Sequence, residues 1–322
     1  MKRKFVIITS IILILIFCFL FFAPIEFGIK KQISIHASII DVTKQITDLH
    51  NWPHWNTALK KQDTSLFQFS NITNNINSFL RFNHRQYTIV QQNGAFVIVK
   101  ENNENARPVY HSLYAFPDSL GTSTNILWVK NVSPFAWIKE KLNSSGEIEA
   151  DLTSLKNFME DPNQYYGFPL RIQFIPDSFI ITKNAVTSKN NQTKTLAQLY
   201  SSIKEYAAAN NIQINPNDPR IANYYNLNND SVKITAGIPV SKKAPAKNDI
   251  TYMEMPPRGR ALVGYYEGDY TGLKKLYAAV NKYYVDKHLQ SIAAPYEKYL
   301  TNPQSTQDSL HMKIEIYYPV LQ

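Results

Sequence analysis

The chain has 322 residues, of which 44% are hydrophobic and 18% charged, a composition that is typical of a globular protein and excludes a largely disordered one. Its formal net charge of +9 is spread along the sequence without a block of Lys and Arg, so we predict no nucleic-acid partner. The single cysteine, Cys18, excludes an intramolecular disulfide and a zinc site built on cysteines.

The first segment is an uncharged apolar run, Phe5–Ala23, which follows Lys2, Arg3 and Lys4. An α-helix of this length spans roughly 28 Å, close to the thickness of a bilayer core. Because the run exceeds the apolar centre of most signal peptides, roughly 7–15 residues, we expect an uncleaved signal anchor within residues 1–29. The basic start favours a cytoplasmic N-terminus, which predicts a single-pass protein of the bacterial cytoplasmic membrane with its C-terminal domains outside. A cleaved signal would leave a soluble product on the same side.

Residues 30–161 are predicted to form the first domain. A strand and a helix lead into Asp48, Trp52 and Trp55, spaced D-x-x-x-W-x-x-W, and several alternating runs and a long helix follow. This order resembles the polyketide-cyclase/START-like helix-grip family (SRPBCC), whose sheet wraps around a long helix and leaves an apolar cavity. The resemblance implies that Trp52 and Trp55 belong to a ligand cavity, and it carries over no catalytic residue.

A linker at residues 162–170 precedes a second domain, residues 171–322, in which the sequence repeats itself. The strand-like stretches Val232–Val240, VKITAGIPV, and Met312–Val320, MKIEIYYPV, match at a constant offset of 80 residues. Alternating apolar positions in each predict a β-strand with one buried face. Two repeats, at about 171–240 and 250–320, are expected to pair as one pseudo-twofold domain of duplicated β-β-α-β units with a groove on its axis.

The second repeat resembles the gyrase-inhibitor-like (GyrI-like) effector-binding family, which is also found at the C-terminus of AraC- and MerR-type regulators. The residues that carry the resemblance are Tyr252–Tyr270, the helix Leu273–Leu289 and the closing Glu315–Val320. The resemblance implies a cleft for small, often cationic or aromatic compounds, with Glu315 matching an acid that faces the cleft.

Four residues of this domain are candidate ligand contacts. A carboxylate at Glu315 pairs with a cation, and the rings of Tyr317, Tyr265 and Tyr266 add cation–π attraction of about 0.5–2 kcal/mol. Since Tyr265 and Tyr266 are consecutive, only one of them faces the cleft. Motifs for a nucleophilic serine, a phosphate loop or a dinucleotide site are missing from the sequence, so we predict no catalytic residue, no cofactor and no metal.

The sequence therefore predicts an α+β protein with one transmembrane helix, a helix-grip domain and a duplicated effector-binding domain. The function it favours is membrane-anchored binding or sensing of a hydrophobic or cationic small molecule, without a DNA-binding domain. Two alternatives stay open: a hydrolase that uses Glu315 as general acid and base, and an envelope scaffold with vestigial cavities.

Overall fold

The computed structural model describes residues 2–22, 26–104, 106–142, 146–177, 179–215, 219–243, 245–246, 249–256, 258–301 and 311–321. The chain divides into two compact units, Met1–Asp161 and Pro162–Gln322. Each contains one antiparallel sheet and several helices, so the predicted α+β class is confirmed.

The first helix, α1, covers Lys2–Phe22. Within the part of the chain that the structure describes, no helix combines the length and the apolar character that crossing a membrane requires. The predicted transmembrane anchor, and with it the single-pass location in the cytoplasmic membrane, is therefore wrong.

The first unit is built on seven strands. They are β1 (Phe27–Ile35), β2 (Gln68–Phe69), β3 (Phe79–Phe82), β4 (Arg85–Asn93), β5 (Phe96–Asn103), β6 (Val109–Pro117) and β7 (Thr124–Val132). The sheet order β1-β7-β6-β5-β4-β3-β2 makes consecutive strands neighbours except at β1, which returns to pair with β7. Along β7 every second residue is buried, which is the alternation of a strand with one face toward a core.

Helices cover the buried face of this sheet. They are α2 (Ile39–Thr47), α3 (Trp52–Trp55), α4 (Pro134–Leu142) and α5 (Glu147–Glu160). Helix α2 begins at Ser38, whose hydroxyl accepts from the backbone N–H of Asp41 and so satisfies one free donor of the first turn. Helix α5 packs on β1 and β7 through Ile148, Leu152 and Leu155, a spacing that places them on one side of the helix.

The described residues of the second unit form nine strands and three helices. The strands are β8 (Leu170–Phe174), β9 (Phe179–Ser188), β10 (Arg220–Asn226), β11 (Ser231–Val240), β12 (Ile250–Glu254), β13 (Arg260–Gly268), β14 (Gln290–Ser291), β15 (Tyr296–Tyr299) and β16 (Met312–Leu321). The helices are α6 (Pro162–Tyr165), α7 (Gln192–Ala209) and α8 (Leu273–Asp286).

The sheet of the second unit is a duplicated structure whose order is β12-β9-β11-β10-β15-β16-β13-β8, with the short β14 beside β16. Each repeat has the order β-β-α-β-β, apart from the short β14. The predicted β-β-α-β unit missed the strand that follows the helix, which is β10 in the first repeat and β15 in the second. The first strands are exchanged: β8 of the first repeat pairs with β13 of the second, and β12 of the second pairs with β9 of the first. The exchange ties the repeats into one sheet.

The two sides of this sheet differ in what covers them. The helix face packs against α7 and α8 and includes Ile314 and Ile316. Gly264 lies on this face under α8, where a Cβ atom would stand 2.7 Å from Val280 Cγ2. The open face is the opposite side, where a smaller cluster is formed by Ile180, Ile221, Ala261, Val263, Tyr296 and Tyr317.

Candidate functional site

A pocket of about 300 Å³ opens on the open face of the second unit. Both repeats contribute to its wall. Its lining comprises Ile175, Ile180, Thr182, Ile221, Asn223, Thr235, Gly237, Met253, Met255, Pro256, Gly259, Ile292, Ala293, Ala294, Tyr296 and Pro319. A concave, mostly apolar cavity with a few polar groups is the usual form of a small-molecule site.

The pocket exists in one half of the sheet because the repeats differ in side-chain size. Thr235 and Gly237 of β11 stand 80 residues before Glu315 and Tyr317 of β16, at matching positions of the two repeats. Small side chains on β11 leave space that the larger pair fills on β16. Gly237 also lies close to Ile180, since a Cβ atom at position 237 would stand 2.9 Å from Ile180 Cγ2.

Glu315, the predicted ligand carboxylate, is 9% exposed and already has partners. Arg171 Nη2 donates to Glu315 Oε1 at 2.8 Å, and the Tyr317 hydroxyl donates to Oε2 at 3.0 Å. Gln173 Nε2 in turn donates to the Tyr317 hydroxyl at 3.1 Å. The carboxylate is therefore neutralised by a fixed guanidinium, although Arg171 itself is more than half exposed.

A second charged pair lies beside the first. Lys298 of β15 is the register partner of Glu315, and its Nζ lies 2.6 Å from Asp177 Oδ2. Both side chains of this pair are largely buried, at 6% and 12% exposure. Each carboxylate in this part of the open face thus has a basic partner.

Tyr296 belongs both to the pocket wall and to the surroundings of these charges. Its ring lines the pocket and stacks on that of Tyr317 with centroids 5.0 Å apart and planes 9° apart. Its hydroxyl is buried and has no hydrogen-bond partner among the described residues. Burial, followed by the nearby Asp177 charge, raises the pKa of the Tyr296 phenol, so this group is neutral at physiological pH.

The two consecutive tyrosines lie on opposite faces of β13. Tyr265 is the register partner of Glu315 on the open face, and its hydroxyl donates to Glu267 at 2.8 Å. Tyr266 packs on the helix face, within 3.4 Å of Asp269. The structure therefore brings Glu315, Tyr317 and Tyr265 together and leaves Tyr266 apart.

Trp52 and Trp55, the candidate ligand residues of the first unit, are fully buried. Their indole N–H groups donate to backbone carbonyls at the end of α2, Trp52 to Ile46 at 3.2 Å and Trp55 to Gln45 at 3.3 Å. Both rings pack around Trp128. They lie within the core of this unit, and their role in ligand binding stays a prediction.

Sequence reasoning did not identify Glu297, a carboxylate on the helix face that is 2% exposed. The hydroxyls of Tyr277 and Tyr299 donate to it, Tyr277 at 2.8 Å, and Tyr224 is hydrogen-bonded to Tyr299. Burial raises the pKa of Glu297, and within the described chain no basic side chain forms an ion pair with it. The available signal was the stretch Tyr296–Tyr299, in which two adjacent charged residues, Glu297 and Lys298, stand between two tyrosines.

The first unit also holds buried titratable groups. Trp128 Nε1 donates to His111 Nδ1 at 3.2 Å, and His111 Nε2 lies 3.0 Å from Glu101. Asp151 accepts from Asn56 and Thr57, while burial raises the pKa of its carboxyl to about 6. In the ranges that the structure describes, no group of three or more His, Cys, Asp or Glu side chains is placed to hold a metal ion.

Comparison with known proteins gives no family model that matches the chain. No curated protein matches it either. Among solved structures, the EcmrR C-terminal domain is similar over 48% of this chain and 98% of its own length, at 19% identity and a TM-score of 0.40. A hydrolase from Listeria innocua is similar over 51% of this chain and 98% of its own, at 10% identity and 0.36. CalU16 from Micromonospora echinospora is similar over 42% and 75%, at 10% identity and 0.32.

Proposed function

We propose that the second unit binds a small hydrophobic molecule in the open-face pocket, and that the chain works as a small-molecule binding or sensing protein of the GyrI-like effector-binding kind. The observation that carries the proposal is a mostly apolar pocket of about 300 Å³ whose wall comes from both repeats. A ligand seated there contacts both halves of the duplicated sheet, which links occupancy to the way the repeats pack.

The size asymmetry between the repeats supports this function. If the sheet face only had to be covered, large side chains would be expected at these positions in both repeats. Glu315 and Tyr317 cover the face in the second repeat. Thr235 and Gly237 leave an open pocket instead, and apolar surface that stays in contact with water is unfavourable by about 25 cal/mol per Å². The scaffold alternative expects such cavities to be closed by side chains.

We also propose the domain arrangement that the sequence predicts. We assign residues 30–161 to the SRPBCC helix-grip type, supported by the single sheet with the long helix α5 packed on β1 and β7. Residues 171–322 form the effector-binding domain, supported by the exchange of β8 and β12 between two like repeats.

A tryptophan at the pocket mouth tests the function. Ala294 lines the pocket and is exposed, so Ala294→Trp fills the opening without disturbing the core. The matched control is Ala209→Trp, an exposed alanine at the end of α7 that is not part of the lining. The full chain is screened against neutral and cationic aromatic compounds by thermal shift.

The expected result is stabilisation of wild type and of the control by the same compounds, and its loss in Ala294→Trp. At 100 times the dissociation constant the stabilisation is about 2.7 kcal/mol. Equal stabilisation of all three proteins, or none of any protein, would refute binding at this pocket.

A further inference from the structure

The chemistry of the pocket wall indicates the class of ligand. Among the sixteen lining residues that the structure describes, none carries an ionic charge at neutral pH, and Tyr296 is the only ionisable one. Two of the polar side chains are already engaged: Thr182 Oγ1 lies 2.7 Å from Thr251 Oγ1, and Asn223 Nδ2 donates to the Pro295 carbonyl at 2.5 Å. The described wall therefore presents mainly alkyl, thioether and aromatic surface.

Two open-face carboxylates that lie close to Tyr296, Glu315 and Asp177, do not supply a counter-charge. Glu315 is paired with Arg171, and Asp177 is paired with Lys298. Tyr296 lines the pocket and stacks on Tyr317, whose hydroxyl donates to Glu315. A cation that entered the pocket would lose water without gaining an unpaired anion, which disfavours its binding strongly.

We infer that the open-face pocket selects a neutral, apolar molecule and discriminates against a cation of the same shape. This inference rests on the proposed function and names its ligand class. It departs from the expectation, based on resemblance, that Glu315 receives a cationic ligand in this cleft. One ring, that of Tyr296, offers a cation–π contact, but a single ring does not replace a desolvated counter-ion.

An isosteric pair of probes tests the inference on the full chain. 4-tert-Butylphenol and (4-hydroxyphenyl)trimethylammonium have the same shape, and they differ in whether a neutral carbon or a positively charged nitrogen carries three methyl groups. Their dissociation constants are measured by titration calorimetry with wild type, Ala294→Trp and the control Ala209→Trp. The neutral probe is expected to bind wild type about tenfold or more tightly than the cation, and to lose that affinity only in Ala294→Trp.

Two results overturn the inference in distinguishable ways. If the cation binds wild type as tightly as the neutral probe, or more tightly, and Ala294→Trp removes both, the pocket is a binding site but not selective for neutral ligands. If neither probe binds wild type at millimolar concentration, the proposed function fails together with the inference.

Discussion

The stacked tyrosines Tyr296 and Tyr317 give opposite stability predictions for the same substitution. In Tyr296→Phe the ring stack is kept and a buried hydroxyl without a partner is removed. An unsatisfied buried polar group costs about 1–3 kcal/mol, so the free energy of unfolding of the second unit should rise by about 1 kcal/mol or more.

In Tyr317→Phe the same atom removal has the opposite effect. The lost hydroxyl donates to Glu315 and accepts from Gln173, so both partners are left with an unmet hydrogen bond in a largely buried place. Hydrogen bonds to charged groups contribute about 1.5–3 kcal/mol, and we expect a loss of about 2 kcal/mol. The two variants should differ by roughly 3 kcal/mol, or on the order of 10 °C in melting temperature for a unit of this size.

The tryptophans provide an internal control for this measurement. All four lie in the first unit, at Trp52, Trp55, Trp128 and Trp137. Far-UV circular dichroism in urea follows both units, while tryptophan fluorescence follows the first. The variants should shift the component seen only by circular dichroism and leave the fluorescence transition in place. If Tyr296→Phe destabilises the protein as much as Tyr317→Phe, the reasoning about the unpartnered hydroxyl is refuted.

Three further predictions follow from buried groups. The pKa of Asp151 is about 6 in the folded state and 3.8 in the unfolded state, so the folded state binds the proton more tightly and the free energy of unfolding falls by roughly 3 kcal/mol as pH rises from about 4 to about 6. Asp151→Asn should remove this pH dependence from the fluorescence transition, and parallel pH profiles of wild type and variant would contradict the prediction. Lys298→Met leaves the Asp177 carboxylate buried and unpaired, and it should lower the free energy of unfolding of the second unit by about 3–5 kcal/mol. Adding Asp177→Leu should recover most of this loss, and no recovery in the double variant would argue against the ion pair. Gly264→Ala places a methyl group against α8 and should lower the free energy of unfolding by about 1–3 kcal/mol. Gly28→Ala is the control, because a Cβ atom there meets only an ordinary contact at 3.5 Å, and it should change stability by less than about 0.5 kcal/mol in the same urea titrations. Equal effects of the two variants would contradict the overpacking argument.

Periodicity was enough to predict the strand at Met312–Val320, and the matching stretch 80 residues earlier predicted a second repeat. Ile314 and Ile316 lie on the helix face and Tyr317 on the open face, as alternation requires. The exchange of first strands between the repeats could not be predicted in this way, because pairing between β8 and β13 is a long-range choice that leaves no local pattern. Short strands such as β15 are missed for the same reason.

The proposed pocket lies at a different position from the predicted Glu315 site. Glu315 of the second repeat stands where the first repeat has Thr235, and the sequence predicts the carboxylate as the ligand group. The pocket lies at Thr235, the smaller of the two matching residues. Glu315 is instead neutralised by Arg171, which stands 144 residues earlier in the chain. Ion pairs of that sequence separation are not visible in a single sequence, whereas the loss of side-chain volume at Gly237 is.

The most direct test of the central claim uses the methionine methyl groups as reporters. Among the five methionines, Met253 and Met255 line the pocket, Met159 lies in the core of the first unit and Met312 packs on the helix face. Methyl-¹³C spectra of the full chain are recorded with and without 4-tert-butylphenol. The account predicts saturable shifts at Met253 and Met255 while Met159 and Met312 stay in place. Shifts at Met159 or Met312 with the pocket methionines unchanged, or no shift at any methionine, would contradict it.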